Sequence, residues 1–290
     1  MLLQLSSKQQ AAIQAGKSQR KHLIFATKQA AVSTEHEQPE HYYIFGPSGI
    51  GKTYWAEKAV EDYDVISRTV SGNVSMFAFA IQLAVIKYLY PEKKVVIIID
   101  DCDEILKDAK TINQMKELLG KNVLSYNKRF HINSVGEEGS LEHSAVASFM
   151  REGVLGFSVP TNNFTFLITS NIQLPFDSTA EELTEKNGGI DTSKSIRARH
   201  LAAIRSRVYP VDLNMTWEEK WGNLAYVMLE DNLCESCTEE DKLTILHYMW
   251  DNWNNMKETS IRTAEKMSRM LHRATKEDNI RDMFDFMFLK

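Results

Sequence analysis

The sequence has few cysteines and no long apolar run. Its three cysteines, Cys102, Cys234 and Cys237, are too few for a disulfide framework, which favours a reducing compartment. No apolar stretch reaches the roughly 18 residues that a membrane span needs, and residues 1–5 are too short for a signal-peptide core. We therefore expect a soluble cytoplasmic protein with no membrane partner.

Acidic residues are absent before Glu35. The first 34 residues therefore carry a charge of +5. The rest of the chain carries −10, which gives the net charge of −5. A basic segment of this kind binds nucleic acid or an acidic partner, or it is simply the solvated face of a helix. It is poor in arginine, unlike a mitochondrial presequence. The basic residues are Lys8, Lys17, Arg20, Lys21 and Lys28.

A glycine-rich stretch at residues 46–53 has the pattern G-x-x-x-x-G-K-[ST]. Residues 41–45 predict a strand before it and residues 54–60 a helix after it, which is the context that the motif requires. Backbone N–H groups of such a loop wrap a phosphate chain, the lysine reaches the β- and γ-phosphates, and the threonine hydroxyl binds Mg²⁺. The predicted ATP-binding residues are Gly46, Pro47, Ser48, Gly49, Ile50, Gly51, Lys52 and Thr53.

Polar side chains follow two further apolar strands. Asp100 and Asp101 end the run that begins at residue 95, and Asn171 follows the run at residues 164–169. An ATPase needs a second carboxylate near its Mg²⁺ and a group that activates the attacking water. We therefore predict that Asp100 holds Mg²⁺ and that Asp101 polarises the water. Asn171 would orient that water or contact the γ-phosphate.

The pattern of elements changes near residue 214. Before it, continuous β-branched runs predict a parallel α/β domain at residues 41–214. After it, capping-box patterns at Thr216 and Thr238 introduce a small, all-helical lid domain at residues 215–290. Residues 1–40 are predicted to form a separate basic helical arm. The fold class is a P-loop α/β domain followed by a helical lid.

With these motifs the chain resembles the AAA+ ATPases over about residues 40–275. Walker A is similar to residues 46–53, Walker B to residues 97–101 and the sensor 1 strand to residues 167–171. Residues 203–208 are similar to the segment that carries the arginine finger, and most of all to the Ser-Arg-Cys element of sliding-clamp loaders.

The resemblance implies that Arg207 is the finger, with Arg205 as its substitute, and that Arg262 belongs to sensor 2 and contacts the nucleotide. It also implies a ring or open-ring homo-oligomer, for which a hexamer is one option. In that ring Arg207 would reach ATP bound by the neighbouring subunit.

One departure from the family concerns Asp101, which stands where glutamate is usual. The shorter side chain predicts slower or less well aligned water activation. Bacterial replication initiators also resemble this Asp-Asp pattern, so hydrolysis can survive the change. Asp103 and Glu104 are alternative carboxylates.

A second departure is the surplus at residues 121–163. Residues 153–160 followed by 164–169 resemble the hairpin before sensor 1 of MoxR-type ATPases. Superfamily 3 helicases have a hairpin of this kind and use it to grip DNA. The alternative is an ordinary surface excursion. Residues 76–79 match the position of a pore loop, or else form a buried helix face. Within residues 121–163, the basic residues available for phosphate contacts are Lys128, Arg129, His131 and Arg151, and they are interspersed with Glu137, Glu138 and Glu142.

These features lead to one main hypothesis and two alternatives. The main one is a Mg²⁺-dependent AAA+ ATPase in a nucleic-acid transaction, as a replication helicase, helicase loader or clamp-loader-like factor that contacts DNA through the hairpin and the basic arm. The first alternative, a MoxR-type ATPase that remodels protein partners, rests on the hairpin, the sensor 2 sequence and the acidic net charge. The second, a slowly hydrolysing ATP-gated assembly switch, rests on Asp101.

Overall fold

The computed structural model describes residues 4–32, 39–63, 65–72, 74–101, 103–106, 109–153, 155–176, 193–231, 233–274 and 279–290. The chain divides into two compact units. The helical unit comprises Met1–Leu23, Gly46–Lys52 and Leu213–Lys290, and the sheet unit comprises Ile24–Phe45 and Thr53–Asp212. Each unit has its own hydrophobic core.

The described residues contain seven strands and ten α-helices. The strands are β1 (Tyr42–Phe45), β2 (Ile66–Ser71), β3 (Val95–Asp100), β4 (Val123–Tyr126), β5 (Phe157–Pro160), β6 (Phe164–Ser170) and β7 (Tyr209–Asp212). The helices are α1 (Ser7–Val32), α2 (Lys52–Glu61), α3 (Met76–Leu89), α4 (Ala109–Lys121), α5 (Leu141–Phe149), α6 (Ser193–Arg205), α7 (Trp217–Leu229), α8 (Glu239–Asn252), α9 (Ile261–Arg273) and α10 (Ile280–Phe288).

A five-stranded sheet in the order β2-β3-β6-β1-β7 forms the sheet unit, and every pair in it is parallel. β3 and β6 are apolar on both faces and almost wholly buried, as central strands of a parallel sheet must be. Since parallel strands share their direction, all five carboxyl ends lie at one edge. The predicted P-loop α/β fold is confirmed.

The segment before β6, where the sequence predicts a hairpin, contributes one strand of an antiparallel pair, and its partner is a strand from much earlier in the chain. β5 pairs antiparallel with β4, whereas β6 has both edges occupied by β1 and β3. All seven residues of β6 are buried, so this strand belongs in the centre of the sheet and has no free edge for a hairpin partner. The surplus is therefore an antiparallel pair whose connection, residues 127–156, contains α5; we call this connection the insertion.

The helical unit packs α7–α10 around buried aromatic side chains, with Trp221 fully enclosed and its Nε1 donating to the carbonyl of Leu246 at 3.0 Å. Both predicted capping boxes are confirmed, one at Thr216 and one at Thr238. None of the helices in the described part of the chain combines the length and hydropathy that a bilayer span requires.

The first part of α1 packs within the helical unit, which differs from the separate arm expected for residues 1–40. A Cβ atom on Gly222 of α7 would lie 1.8 Å from the carbonyl oxygen of Ala12, so only glycine permits this approach. Arg20 is buried, pairs with Asp231 and lies over the ring of Tyr226 at 4.5 Å. The charge of Arg20 therefore stabilises the packing of α1 within the helical unit.

Candidate functional site

The carboxyl edge of the sheet brings two hydroxyl groups onto one carboxylate. Asp100 ends β3 and lies opposite Thr169 of β6 in the parallel register. Thr53, in the first turn of α2, donates to Asp100 Oδ1 at 2.5 Å, and Thr169 donates to the same oxygen at 2.5 Å. The carboxylate is therefore held in a fixed orientation. Thr169 is not among the residues predicted from the sequence, although aligning the ends of β3 and β6 points to it.

This donor set fits Mg²⁺. The Thr53 hydroxyl and the Asp100 carboxylate are hard oxygen ligands on adjoining side chains, and Mg²⁺ usually takes one or two carboxylates together with substrate phosphates and water. Among the described residues, no group of three or more His, Cys, Asp or Glu side chains forms a metal site. Thr53 and Asp100 are thus the residues that would hold Mg²⁺.

Asp101 and Asn171 lie next to each other beyond the strand ends. Asn171 Nδ2 donates to Asp101 Oδ1 at 3.5 Å, and both side chains are exposed. Asp101 has φ of 49°, a left-handed conformation that aspartate adopts more readily than most residues. The segment after Asn171 is fixed because the carbonyl of Ile172 accepts from the Tyr43 hydroxyl at 2.5 Å. The side chains of the alternatives, Asp103 and Glu104, lie outside the described part of the chain.

The glycine-rich loop has the backbone conformation that its sequence predicts. Gly49 and Gly51 have φ of 75° and 87°, in the left-handed region that glycine enters without a steric penalty. Lys52 is buried, and its Nζ donates to the carbonyl oxygens of Gly46 at 2.8 Å and Pro47 at 2.9 Å. The ammonium group is thereby drawn against the loop backbone.

Two helices of the helical unit hold this loop. The first N–H of α9 donates to the carbonyl of Gly49 at 3.2 Å. A Cβ on Gly49 would lie 2.4 Å from that of Ser260, the N-cap of α9. Asn223 of α7 is buried and donates to the carbonyl of Ile50 at 3.2 Å. Arg262 is exposed in the first turn of α9. Of these residues only Arg262 is predicted from the sequence, whereas Ser260 and Asn223 are not.

Arg205 is engaged within its own unit. Its guanidinium pairs with Asp212 at 2.8 Å, donates to the carbonyl of Leu174 at 3.0 Å, and lies 4.1 Å from the ring centroid of Phe176. These contacts tie the end of β7 to the segment that follows β6. Arg205 therefore has a structural task here, and we retain Arg207 as the finger to be tested.

Arg207 is exposed two residues after the end of α6. Its Nη1 donates to the carbonyl of Ala203 and, at 3.3 Å, to the Ser206 hydroxyl. The side chain lies across α4, where a Cβ on Gly120 would be 2.8 Å from Arg207 Nε. The absence of a side chain at Gly120 therefore makes room for Arg207.

Arg207 and Asp100 lie at opposite edges of the sheet. β7 starts two residues after Arg207, and its first residue, Tyr209, pairs with Tyr42, the first residue of β1. Asp100 instead lies at the carboxyl ends of the strands. At about 3.3 Å per residue the two edges are on the order of 15 Å apart. Arg207 therefore has no access to the Asp100 of its own chain.

Aromatic side chains anchor the β4–β5 pair and the start of the insertion to α3. Phe77, in the first turn of α3, packs against Tyr126 at 4.7 Å and Phe130 at 5.4 Å between ring centroids, and Tyr126 packs against Phe157 at 5.9 Å. Phe79 is fully buried. Residues 76–79 therefore form a packed helix face, not an open loop. The exposed charged residues of the insertion include Lys128, Arg129, His131, Arg151, Glu137, Glu138 and Glu142.

A strand, a glycine loop and a helix, with a carboxylate at the end of another strand of the same parallel sheet, define a P-loop nucleotide-binding fold. Residues 42–186 match the family described as "ATPase family associated with various cellular activities (AAA)". The match spans half of the chain, and the chain therefore belongs to this family.

A comparison with solved structures finds a point mutant of RuvB from Thermotoga maritima, with 15% identity and a TM-score of 0.45. The alignment covers 93% of this chain and 64% of that one, so this chain spans a little under two thirds of the length of the RuvB structure. No curated protein matches the chain.

Proposed function

We propose that the chain is a Mg²⁺-dependent ATPase that hydrolyses ATP to ADP and phosphate. The observation that carries the proposal is the convergence of Thr53 and Thr169 on Asp100, in a chain that belongs to the AAA family. When bound, Mg²⁺ supplies positive charge to the β- and γ-phosphate oxygens. Thr53 and Asp100 would hold it, and Thr169 keeps the carboxylate in one orientation.

The phosphate loop binds the triphosphate in this proposal. Gly49 and Gly51 allow the backbone to approach phosphate oxygens closely. Lys52 exchanges the carbonyl oxygens of Gly46 and Pro47 for phosphate oxygens, which are stronger acceptors because they are charged. Arg262, in the first turn of α9, adds a contact to the nucleotide.

Asp101 takes the proton of the attacking water, and Asn171 orients that water. Their side chains already lie within 3.5 Å of each other. Because an aspartate reaches less far than a glutamate, we expect slow turnover. If assembled rings bound ATP but showed no turnover at all, the assembly-switch alternative would replace this step.

Arg207 acts on ATP held by a neighbouring copy. Its position at the amino edge of the sheet, opposite Asp100, supports this proposal. The proposed assembly is a ring or open ring, so a positively charged side chain from one subunit would complete the site of the next. An arginine of this kind contributes on the order of 10³- to 10⁵-fold to turnover in other phosphoryl-transfer systems.

For the substrate we propose a nucleic acid, acted on during replication or a related transaction. The insertion exposes Lys128, Arg129 and His131 next to one another at the end of β4, and such a group attracts phosphates. A protein substrate is the second candidate. It is favoured by the exposed apolar side chains of the same insertion, among them Leu141 and Leu155.

One experiment tests activity, assembly and substrate together. ATP turnover is measured against protein concentration, alone and with single-stranded DNA, duplex DNA or an unfolded polypeptide. Turnover per chain should rise with concentration and should respond to DNA more at low salt than at high salt. Stimulation by the polypeptide alone would replace the first substrate with the second.

Variants separate the proposed roles. Lys52→Ala should abolish ATP binding, and Asp100→Asn should abolish Mg²⁺-dependent turnover. Arg207→Ala should keep ATP binding and lose most turnover. Arg129→Ala is the matched control, since it removes an exposed arginine of the insertion and should leave DNA-independent turnover intact. An Arg207→Ala variant as active as the parent would refute the finger.

A further inference from the structure

A lysine and a histidine meet on the face of the sheet unit that carries Arg207. Lys116 Nζ of α4 lies 3.1 Å from His200 Nδ1 of α6, and it donates to Asn113 Oδ1 at 3.0 Å. An ammonium group has only donors to offer, so Nδ1 accepts and the ring proton is on Nε2. The histidine is therefore neutral, and Lys116 is held between two neutral acceptors.

Positive charge is concentrated around this contact. Burial lowers the pKa of Lys116, and Arg207 lowers that pKa further, whereas the adjacent Glu117 raises it in part. Burial also lowers the pKa of His200, as does the charge of Lys116. The neighbouring Glu117 is an exposed side chain that pairs with Lys121 at 3.7 Å. Within the described ranges no ion pair joins Lys116 or Arg207 to a carboxylate.

This arrangement is unfavourable for the chain by itself. Arg207 lies over α4 one turn from Lys116, and the charge of the exposed Glu117 offsets the lost hydration of Lys116 only in part. An anion supplied from outside the chain would neutralise both charges.

We propose that Lys116 acts together with Arg207 as a two-cation receptor for the triphosphate of ATP bound by a second copy of the chain. The proposal rests on the proposed function, because it adds a second residue to the finger contributed in trans. His200 and Asn113 are positioning residues, since they hold the ammonium of Lys116. Lys116 lies one helical turn before Gly120, the residue of α4 over which Arg207 lies. The receptor lies on adjoining surfaces of α4 and α6.

Mixing two inactive variants tests the receptor directly. The acceptor is Arg207→Ala, which binds ATP but supplies no finger. The donor is Lys52→Ala, which binds no ATP but presents an intact α4–α6 surface. If the finger acts in trans, the mixture regains turnover that neither variant has. Adding Lys116→Ala to the donor should then lower the regained turnover by about 10- to 100-fold, as expected for losing a hydrogen bond to a charged group.

Matched donors separate the role of Lys116 from a general loss of charge. Lys121→Ala removes an exposed lysine from the same helix and should leave the regained turnover unchanged. Lys116→Arg should recover most of it. His200→Gln keeps an oxygen that accepts from Lys116 and should remain active, whereas His200→Leu should lose activity to the same extent as Lys116→Ala. Thermal unfolding of Lys116→Ala should show an equal or higher midpoint, because the repulsion with Arg207 is gone.

Each outcome decides a separate question. A donor with Lys116→Ala that restores turnover as well as its parent overturns the receptor. The receptor is also overturned if sedimentation shows that Lys116→Ala only weakens assembly while turnover per assembled chain is normal, since Lys116 would then dock against an acidic surface. If the unmodified chain has no turnover, the proposed function fails. If it has turnover but the mixture does not, Lys116→Ala in the otherwise unmodified chain decides, and full activity there overturns the receptor.

Discussion

Replacing Thr169 with valine tests whether the second hydroxyl on Asp100 matters. Valine has the same shape and is also β-branched, so β6 should keep its pairing with β1 and β3. The change removes only the hydroxyl that donates to Asp100 Oδ1 at 2.5 Å. Asp100 retains the hydroxyl of Thr53. We therefore expect a folded protein whose carboxylate is held less firmly.

The structure gives the expected size of the effect. A hydrogen bond to a charged group contributes about 1.5–3 kcal/mol. Because Thr53 still donates to Asp100, we expect the lower end, about 1.5 kcal/mol of the free energy of unfolding. At about 2–4 °C per kcal/mol for a chain of this size, the unfolding midpoint should fall by about 3–6 °C. Turnover should fall by about 10-fold, the rate equivalent of about 1.4 kcal/mol.

The assay is ATP turnover at several Mg²⁺ concentrations, together with thermal unfolding. Thr169→Val should require more Mg²⁺ for half-maximal turnover. Thr53→Val should lose more activity than Thr169→Val, because it removes a proposed ligand of the metal. Thr165→Val is the matched control. Thr165 is also a buried threonine of β6, but it pairs with Val96 at the far end of β3.

Two patterns of results would contradict this role for Thr169. If Thr169→Val and Thr165→Val lose similar stability and neither loses turnover, the hydroxyl of Thr169 does not orient Asp100 for catalysis. If both lose turnover equally, the loss reflects general damage to β6. Only a loss confined to Thr169→Val, with a shifted Mg²⁺ requirement, supports the assignment.

Three further predictions concern the two units. Burial lowers the pKa of His41 to about 4 in the folded chain. As the pH falls below about 6.5, His41 is therefore protonated in the unfolded chain but still neutral in the folded chain, which favours unfolding. Stability should drop by about 2 kcal/mol between pH 7 and 5 in urea unfolding, and the drop should shrink in His41→Gln; an unchanged drop would argue against this role of His41. Gly222→Ala should lower the unfolding midpoint by the equivalent of about 1–3 kcal/mol, and an unchanged midpoint would argue against the packing of α1 on α7. Arg205→Ala should cost about 2 kcal/mol in denaturant unfolding, because it leaves Asp212 without its partner. It should nevertheless still serve as a donor in the mixing assay.

Much of the sheet could be predicted from the sequence because its strongest signals are local. The run of β-branched residues before Asp100 is buried on both faces and can only be a central strand. The glycine loop carries its own backbone requirements, and Gly49 and Gly51 meet them. The capping boxes at Thr216 and Thr238 also depend only on residues three positions apart.

The parts that the sequence did not predict depend on distant partners. β4 and β5 are each four residues long and are separated by the insertion, so neither carries a pattern that specifies the other. The role of Thr169 depends on its register with Asp100. Lys116 and His200 are 84 positions apart and meet only because α4 and α6 pack together. Sequence patterns describe faces and ends of elements, whereas these contacts depend on which elements become neighbours.

The helical unit is assembled from both ends of the chain, which has a consequence for its synthesis. Its core joins Ala12 to Trp221 and Phe284, so it cannot close until the last helix has left the ribosome. The strands of the sheet unit are complete once Asp212 has been made, and this unit can fold first. Until the helices of the helical unit have been made, the apolar face of α1 around Ala12 has no partner from that unit. We therefore expect chains that stop short of α10 to aggregate or to bind chaperones, even though their sheet is intact.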